Sequence, residues 1–179
     1  VPAYIVPEGQ KKYYGIASGG FGVVWHRPDH PFSIASNIGT GWRAPLPVES
    51  YIRGVHHASY EYMIGDPLLD PEQSINTDVI FRWVTDDVAY EFNAFYNRIY
   101  DYIFANPTGE FHYLGFMSNI PIYLYEQSDA RLYGFEWHNQ FRLTEKIRID
   151  FGYDLVRGEI LSPMIDADGD GRVEKNLPR

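Results

Sequence analysis

The residues of this chain best suited to chemistry are His56 and His57, which stand beside Tyr60, Glu61 and Tyr62. Imidazole nitrogens helped by a carboxylate can capture a divalent metal or a haem. Neighbouring residues in an extended chain point opposite ways, so a solvated aromatic loop is the competing reading. His112, Tyr113 and Phe116 form a second aromatic group that could join such a site. Arg43 and Glu49 have the types and spacing for a charge-assisted pair, serving either a ligand vestibule or a tie between a loop and its scaffold. Asp166, Asp168 and Asp170, followed by Gly171, have the D-x-D-x-D-G spacing of a calcium loop. The bidentate acid expected at its twelfth position is replaced by Leu177, and Glu174 could serve only at the ninth. A weak calcium site over 166–174 and a plain acidic turn therefore both fit.

Enzyme signatures are missing. No H-E-x-x-H, G-x-S-x-G or P-loop occurs, and Gly19-Gly20-Phe21-Gly22 has no following Lys-Ser/Thr to serve a phosphate. The absence of cysteine removes thiol nucleophiles, Cys-based zinc sites and disulfides. A net charge of −9 opposes binding to a phosphate backbone, which excludes an electrostatic nucleic-acid partner.

The elements that must carry these residues read as strands. From Val88 the even positions Val88, Tyr90, Phe92, Ala94 and Tyr96, then Tyr100, Tyr102 and Phe104, are apolar, whereas Glu91, Asn93, Asn97 and Asp101 are polar. The same period of two runs through Phe21 to Trp25, Phe32 to Trp42, Val79 to Trp83, Tyr133 to Leu143 and Ile147 to Leu155. A helix would smear this pattern around its circumference. Short connections at His26 to Pro31, Thr85 to Asp87 and Thr144 to Lys146 alternate with long ones at Ala44 to Gln73, Ala105 to Pro121 and Ser162 to Asn176. An antiparallel meander with tight turns at one end and long loops at the other is the plan of a transmembrane β-barrel. A soluble β-sandwich shares the alternation but suits neither the strand lengths nor the Tyr- and Trp-rich apolar faces. Thirty aromatics, 17% of 179 residues, then belong to a lipid-facing and interfacial surface, and no run reaches the length of an apolar membrane helix.

On the polar face of such a barrel lie Asp78, Arg82, Glu91, Asn93, Glu136, Arg148 and Asp150, for which pairing across strands competes with ligand contact. Arg98 and Asn139 break the apolar rule on the other face. Arg98, ten residues above Val88, stands roughly 23 Å up a tilted strand, where it could snorkel or meet lipid phosphates.

Gly41-Trp42-Arg43-Ala44-Pro45 with Glu49, Gly65-Asp66-Pro67 with Leu69, and Pro71-Glu72 with Ser74, Asn76 and Asp78 carry a resemblance, joined by Leu132-Tyr133-Gly134-Phe135-Glu136 and Leu177-Pro178-Arg179. Over about residues 12 to 179 the chain resembles the C-terminal half of the barrel of TonB-dependent outer-membrane receptors. Ser50 departs from the family's usual Leu, and the plug domain, the TonB box and the aromatic C-terminal residue have no counterpart here. The resemblance implies an all-β fold: six strands and the start of a seventh from a barrel of 22, so that 1–179 is a partial barrel domain cut from a longer chain. It also implies a Gram-negative outer-membrane location and active uptake of a ferric siderophore or a metal such as zinc, without catalysis. The implied partners are the TonB complex acting through the missing plug, outer-membrane lipid and lipopolysaccharide, and the siderophore or metal itself. Residues Gly54 to Gly65 look similar to the branch that takes up zinc or related metals, while His112, Tyr113 and Phe116 would suit a siderophore-binding aromatic wall. No resident cofactor is expected beyond the calcium candidate. The alternative is a small self-contained outer-membrane barrel with a structural or adhesive role.

Overall fold

The computed structural model describes residues 13–115 and 119–161. Strands dominate: β1 (Gly19–His26), β2 (Phe32–Arg43), β3 (Arg53–His56), β4 (Glu61–Ile64), β5 (Glu72–Val84), β6 (Val88–Tyr113), β7 (Asn119–Thr144) and β8 (Ile147–Ile160), with one short helix, α1 (Pro47–Tyr51). They form one sheet in the order β1-β2-β5-β6-β7-β4-β3, with β8 also on β7. The six long strands make the expected antiparallel meander. Among the described residues no helix is long and apolar enough to cross a membrane, a test that does not apply to strands.

Two tight turns owe their form to threonine. Thr85 Oγ1 accepts from Val88 N at 3.0 Å, and Thr144 Oγ1 accepts from Lys146 N and Ile147 N at 3.2 and 3.1 Å. Such side-chain bonds replace those the ladder loses where the strands reverse.

One face of the meander is an aromatic ladder. Successive ring contacts run Trp25, Phe32, Phe81, Phe92, Phe135 and Tyr153, across every long strand, at centroid spacings of 6.1, 6.5, 6.4, 5.7 and 5.9 Å. Nothing in the sheet covers this face: Trp25, Phe141 and Phe151 are 52%, 41% and 50% exposed. An apolar face of this extent is untenable in water and suits hydrocarbon. Apart from Ala35 in β2, the buried apolar side chains lie instead towards the long-loop end: Met63, Ile64, Leu69, Ile103, Phe104, Ile120, Ile122, Ala130 and Ile160. The chain is thus a coreless wall that continues into a packed cap.

The cap departs from expectation in three ways. First, the long connection at Ala105 to Pro121 is mostly strand, because β6 and β7 each run 26 residues, more than twice the 9 to 11 that span a bilayer. Second, the connection at Ala44 to Gln73 holds α1 and the hairpin β3–β4, and β4 pairs parallel to β7 at Tyr62 to Ile64. It takes the β7 edge that β8 leaves beyond Ala130. Third, a bulge sets Tyr100 and Asp101 against Asp129 alone, with Asp101 at φ 53°. Tyr102 then faces Ser128 and Phe104 faces Glu126, residues with the parity of polar-face Glu136. The apolar assignment of Tyr102 and Phe104 is therefore overturned by a one-residue slip, which reverses both side chains.

Candidate functional site

One guanidinium ties the loop after β2 to the wall, in addition to the β4–β7 ladder and the bonds between Gln127 and Asp70. Arg43, the last residue of β2, donates to Glu72 through Nε (2.7 Å) and Nη2 (2.6 Å), and through Nη1 to both Glu49 oxygens (2.9 Å each). Each carboxylate carries a further load. Glu49 accepts from Leu46 N at 2.7 Å, closing the first turn of α1, and Glu72 accepts from Ile103 N at 2.7 Å, just past the bulge. Glu49 and Glu72 are only 8% and 9% exposed. The cluster fastens the loop after β2, the start of β5 and the upper part of β6 together with charge-assisted bonds. Glu72 was absent from the sequence candidates, although Pro71-Glu72 heads the strand that pairs with β2 and stands opposite Arg43. Gly65 closes the same knot: its N–H bonds to Ile52 O at 2.7 Å, and a Cβ there would lie 2.7 Å from backbone atoms of Glu49, Ser50 and Tyr51.

The ligand candidates sit on the hairpin above this knot. His56 ends β3, with Nδ1 3.0 Å from Ser59 Oγ, and His57 lies in the turn. Tyr60, at φ 57°, is 66% exposed, and Glu61 opens β4. The two aromatic groups of the sequence do meet, through Tyr62, whose ring stacks on His112 at 4.1 Å between centroids. Tyr113 is exposed at the end of β6. Among the described residues no three His, Cys, Asp or Glu side chains converge as a metal site would require. Beyond the span of the hydrocarbon, burial foremost and then the Glu49 and Glu61 carboxylates push the Tyr125 phenol up, so it remains a neutral hydrogen-bonding group. Phe116 and the calcium candidates Asp166, Asp168 and Asp170 lie outside the described residues.

On the polar face the cross-strand ties are Arg82 Nε to Glu91 (2.5 Å), Asn37 to Asp78 (2.7 Å), Gln140 to Asp150 (2.6 Å) and a long Asn93 to Glu136 contact (3.5 Å). Arg148 faces Arg142 across the hairpin and makes no ion pair among the described residues. On the apolar face the two exceptions are accommodated differently. Arg98 pairs with Asp129 at 2.6 Å. Asn139, flanked across the ladder by Tyr90 and Phe151, is 3% exposed, so its amide is screened from lipid by rings.

A family model described as "TonB dependent receptor-like, beta-barrel" matches residues 4–179. Among solved structures the chain is similar to "Copper transporter OprC", with 17% identity, a TM-score of 0.65 and coverage of 90% of this chain and 21% of that one. It is similar to the siderophore receptor PirA from Pseudomonas aeruginosa at 18% identity and TM-score 0.57, covering 80% of this chain and 27% of that one. It also resembles the FrpB iron transporter from Neisseria meningitidis (F3-3 variant) at 19% identity and TM-score 0.54, covering 80% and 20%. The chain therefore spans between 20% and 27% of the length of these three proteins.

Proposed function

Because the chain belongs to the TonB-dependent receptor β-barrel family, whose members lie in the outer membrane of Gram-negative bacteria and transport rather than catalyse, we propose that it builds part of the wall and ligand-facing cap of a receptor for a ferric siderophore or a metal such as zinc. The observation that supports this most is the division of the chain into a coreless, lipid-suited wall and a packed cap. The cap presents His56, His57, Tyr60, Glu61, His112 and Tyr113 at one end of the sheet. A binding surface at that end would meet ligand first, and the polar face of Asp78, Arg82, Glu91, Asn93 and Glu136 would line its path and contact a plug. Energy would come from the TonB complex through that plug, and the aromatic face would contact outer-membrane lipid and lipopolysaccharide.

The stacked Tyr62–His112 pair joins the two aromatic groups into one surface, which suits an organic chelate better than a bare ion. Among the described residues the histidines meet no converging third ligand, which favours the same choice. In the intact receptor, replacing His56 and His57 by Ala should lower growth on a ferric siderophore as sole iron source by about tenfold or less, since each side chain forms only part of such a surface. If zinc is the cargo, the same variant instead fails specifically under zinc limitation. Wild-type growth in both conditions would remove the two histidines from the site.

A further inference from the structure

Gln127 of β7 bonds to a neighbouring segment as a strand residue would, although only its side chain takes part. Its carboxamide oxygen accepts from Asp70 N at 2.8 Å, and its nitrogen donates to Asp70 O at 2.7 Å and to Asp101 O at 2.9 Å. An amide that gives to and takes from the same residue copies the exchange within an antiparallel ladder. The ladder itself is missing at this place. β5 pairs with β6 only as far as Tyr100, opposite Gln73, and Asp101 lies in the bulge just above. Gln127, paired with Ile103, reaches from β7 across β6 to the loop that leads into β5.

What this tether holds is the returning end of the connection that carries β3 and β4. Between Ile64 and Asp70 the chain is braced: Asp66 Oδ1 accepts from Leu68 N at 2.8 Å, Asp66 N donates to Glu49 O at 3.0 Å, and Leu69 is 3% exposed. Before it, β4 meets β7 through three parallel pairs, Tyr62 to Ile122, Met63 to Tyr123 and Ile64 to Leu124. Parallel pairing is the weaker kind, and a slip of one residue turns every side chain over. Tyr62 would then leave the face on which its ring stacks with His112 at 4.1 Å. The Arg43 cluster fixes the outgoing end of the connection at Glu49, and Gln127 fixes the returning end at Asp70.

We propose that Gln127 is a positioning residue for cargo recognition: by fixing Asp70 against the bulge it sets the register of β4 on β7, and so keeps Tyr62 stacked on His112 in the surface that meets ligand. The proposal rests on the function proposed above and adds the residue that holds its binding surface in shape before cargo arrives. Such preorganisation strengthens binding without any contact to the ligand. Donor and acceptor are not interchangeable at this position. Both groups that receive from the Gln127 nitrogen are carbonyls. The Asp70 and Asp129 carboxyls lie within electrostatic reach of that of Asp101, Arg98 is paired with Asp129, and Tyr125 stands two positions along β7. Gln127→Glu therefore keeps the shape but sets a carboxylate against two carbonyls and beside these acids, and protonation restores one of the lost donors.

Hydrogen exchange of the β4 amides, corrected for their intrinsic rates, reads this pairing in the intact receptor in mild detergent, with heat-modifiable gel mobility as the check that the wall is folded. At neutral pH Gln127→Ala should lower protection of β4 roughly tenfold, and Gln127→Glu should lower it further. On acidification to about pH 4, Gln127→Glu should recover towards wild type as its carboxyl gains a proton, while Gln127→Ala should not. Wild-type protection in Gln127→Glu at neutral pH, or the same pH profile for both variants, would overturn the assignment. Uptake by the same variants is measured with an iron(III) trihydroxamate and with zinc(II) alone as probes. A raised half-saturation concentration with an unchanged maximal rate supports the positioning role, and unchanged half-saturation despite lost protection overturns it. A wild-type receptor that takes up neither probe counts against the transport reading instead, and the exchange profile still decides whether Gln127 sets the register.

Discussion

Replacing Arg43 by Ala is expected to loosen the loop between β2 and β5 from the wall. The substitution leaves Glu49 and Glu72 nearly buried with no cation, and removes both bonds to Glu72 and both to Glu49. Breaking a buried pair by deleting one partner costs about 3 to 5 kcal/mol. Because the Arg43 side chain is itself 38% exposed, water can partly rescue the carboxylates, and about 3 kcal/mol is the appropriate figure. The barrel wall should survive, since its ladder does not involve this side chain. In the intact receptor the loop between β2 and β5 should become sensitive to protease while heat-modifiable gel mobility stays native. Arg43→Lys should behave nearly as badly, because one ammonium cannot hold two carboxylates in the bidentate manner seen here. Wild-type protease resistance in Arg43→Ala would show that apolar packing, the β4–β7 ladder and the Gln127 bonds hold the loop without this cluster.

A side chain at Gly134 is expected to damage the wall itself. A Cβ at this position would fall on the Leu155 carbonyl oxygen of β8 and lie 2.9 Å from Phe95 Cζ, so β7 and β8 could no longer pair closely. Outside such contacts, Gly→Ala in a strand gains roughly 0.5–1 kcal/mol. Here the collision with backbone decides the sign, and Gly134→Val should cost on the order of 3 kcal/mol. Gly152→Ala is the comparison, since its nearest neighbour would be His138 Nδ1 at an ordinary 3.5 Å. The fraction of receptor that runs as folded barrel in an unheated gel should fall for Gly134→Val and hold for Gly152→Ala. Equal folding of both would mean that Phe95 and β8 move aside freely.

The wall was legible in the sequence because its signal is long and repeated. Phe32 to Trp42, Tyr133 to Leu143 and Ile147 to Leu155 keep one parity from end to end, and the turns at Thr85 and Thr144 carry their own side-chain bonds. Legibility ended at Tyr100. The bulge there inserts one residue, yet Tyr102 and Phe104 are as apolar on the polar face as they would be on the other, so the pattern does not register the slip. Phe95 hid in the same way: it stands on the polar face opposite Gly134, whose missing side chain makes room for its ring. Pro107 and Gly109 gave Ala105 to Pro121 the look of a loop. Above Tyr100, however, β6 has no β5 partner, and proline is tolerated on such an edge. Gly109, at φ 73°, lies within the second register shift, between Pro107 and Phe111. The hairpin β3–β4 was invisible because four-residue strands are too short to show a period.

The candidate site was legible in its residue types and not in its connections. Arg43 and Glu49 read as a pair from spacing alone, whereas Glu72, 29 residues from Arg43, enters only through the β2–β5 register. Likewise His112 joins Tyr62 because the cap folds β4 onto β7, a parallel pairing that no local pattern announces.

The central claim is that neighbouring residues of one strand face lipid and lumen in turn. Since the chain has no cysteine, single probes can be placed at will. Tyr153 is 49% exposed on the aromatic face, and Asp154 stands opposite Glu136 on the polar face, both near mid-height of β8. In a cysteine-free background of the intact receptor in lipid vesicles, spin labels at Tyr153→Cys and Asp154→Cys should divide sharply. The first is relaxed by oxygen dissolved in the bilayer, and the second by a water-soluble nickel chelate or screened by a plug. Relaxation by the nickel chelate at Tyr153→Cys, or by bilayer oxygen at Asp154→Cys, would contradict the membrane wall.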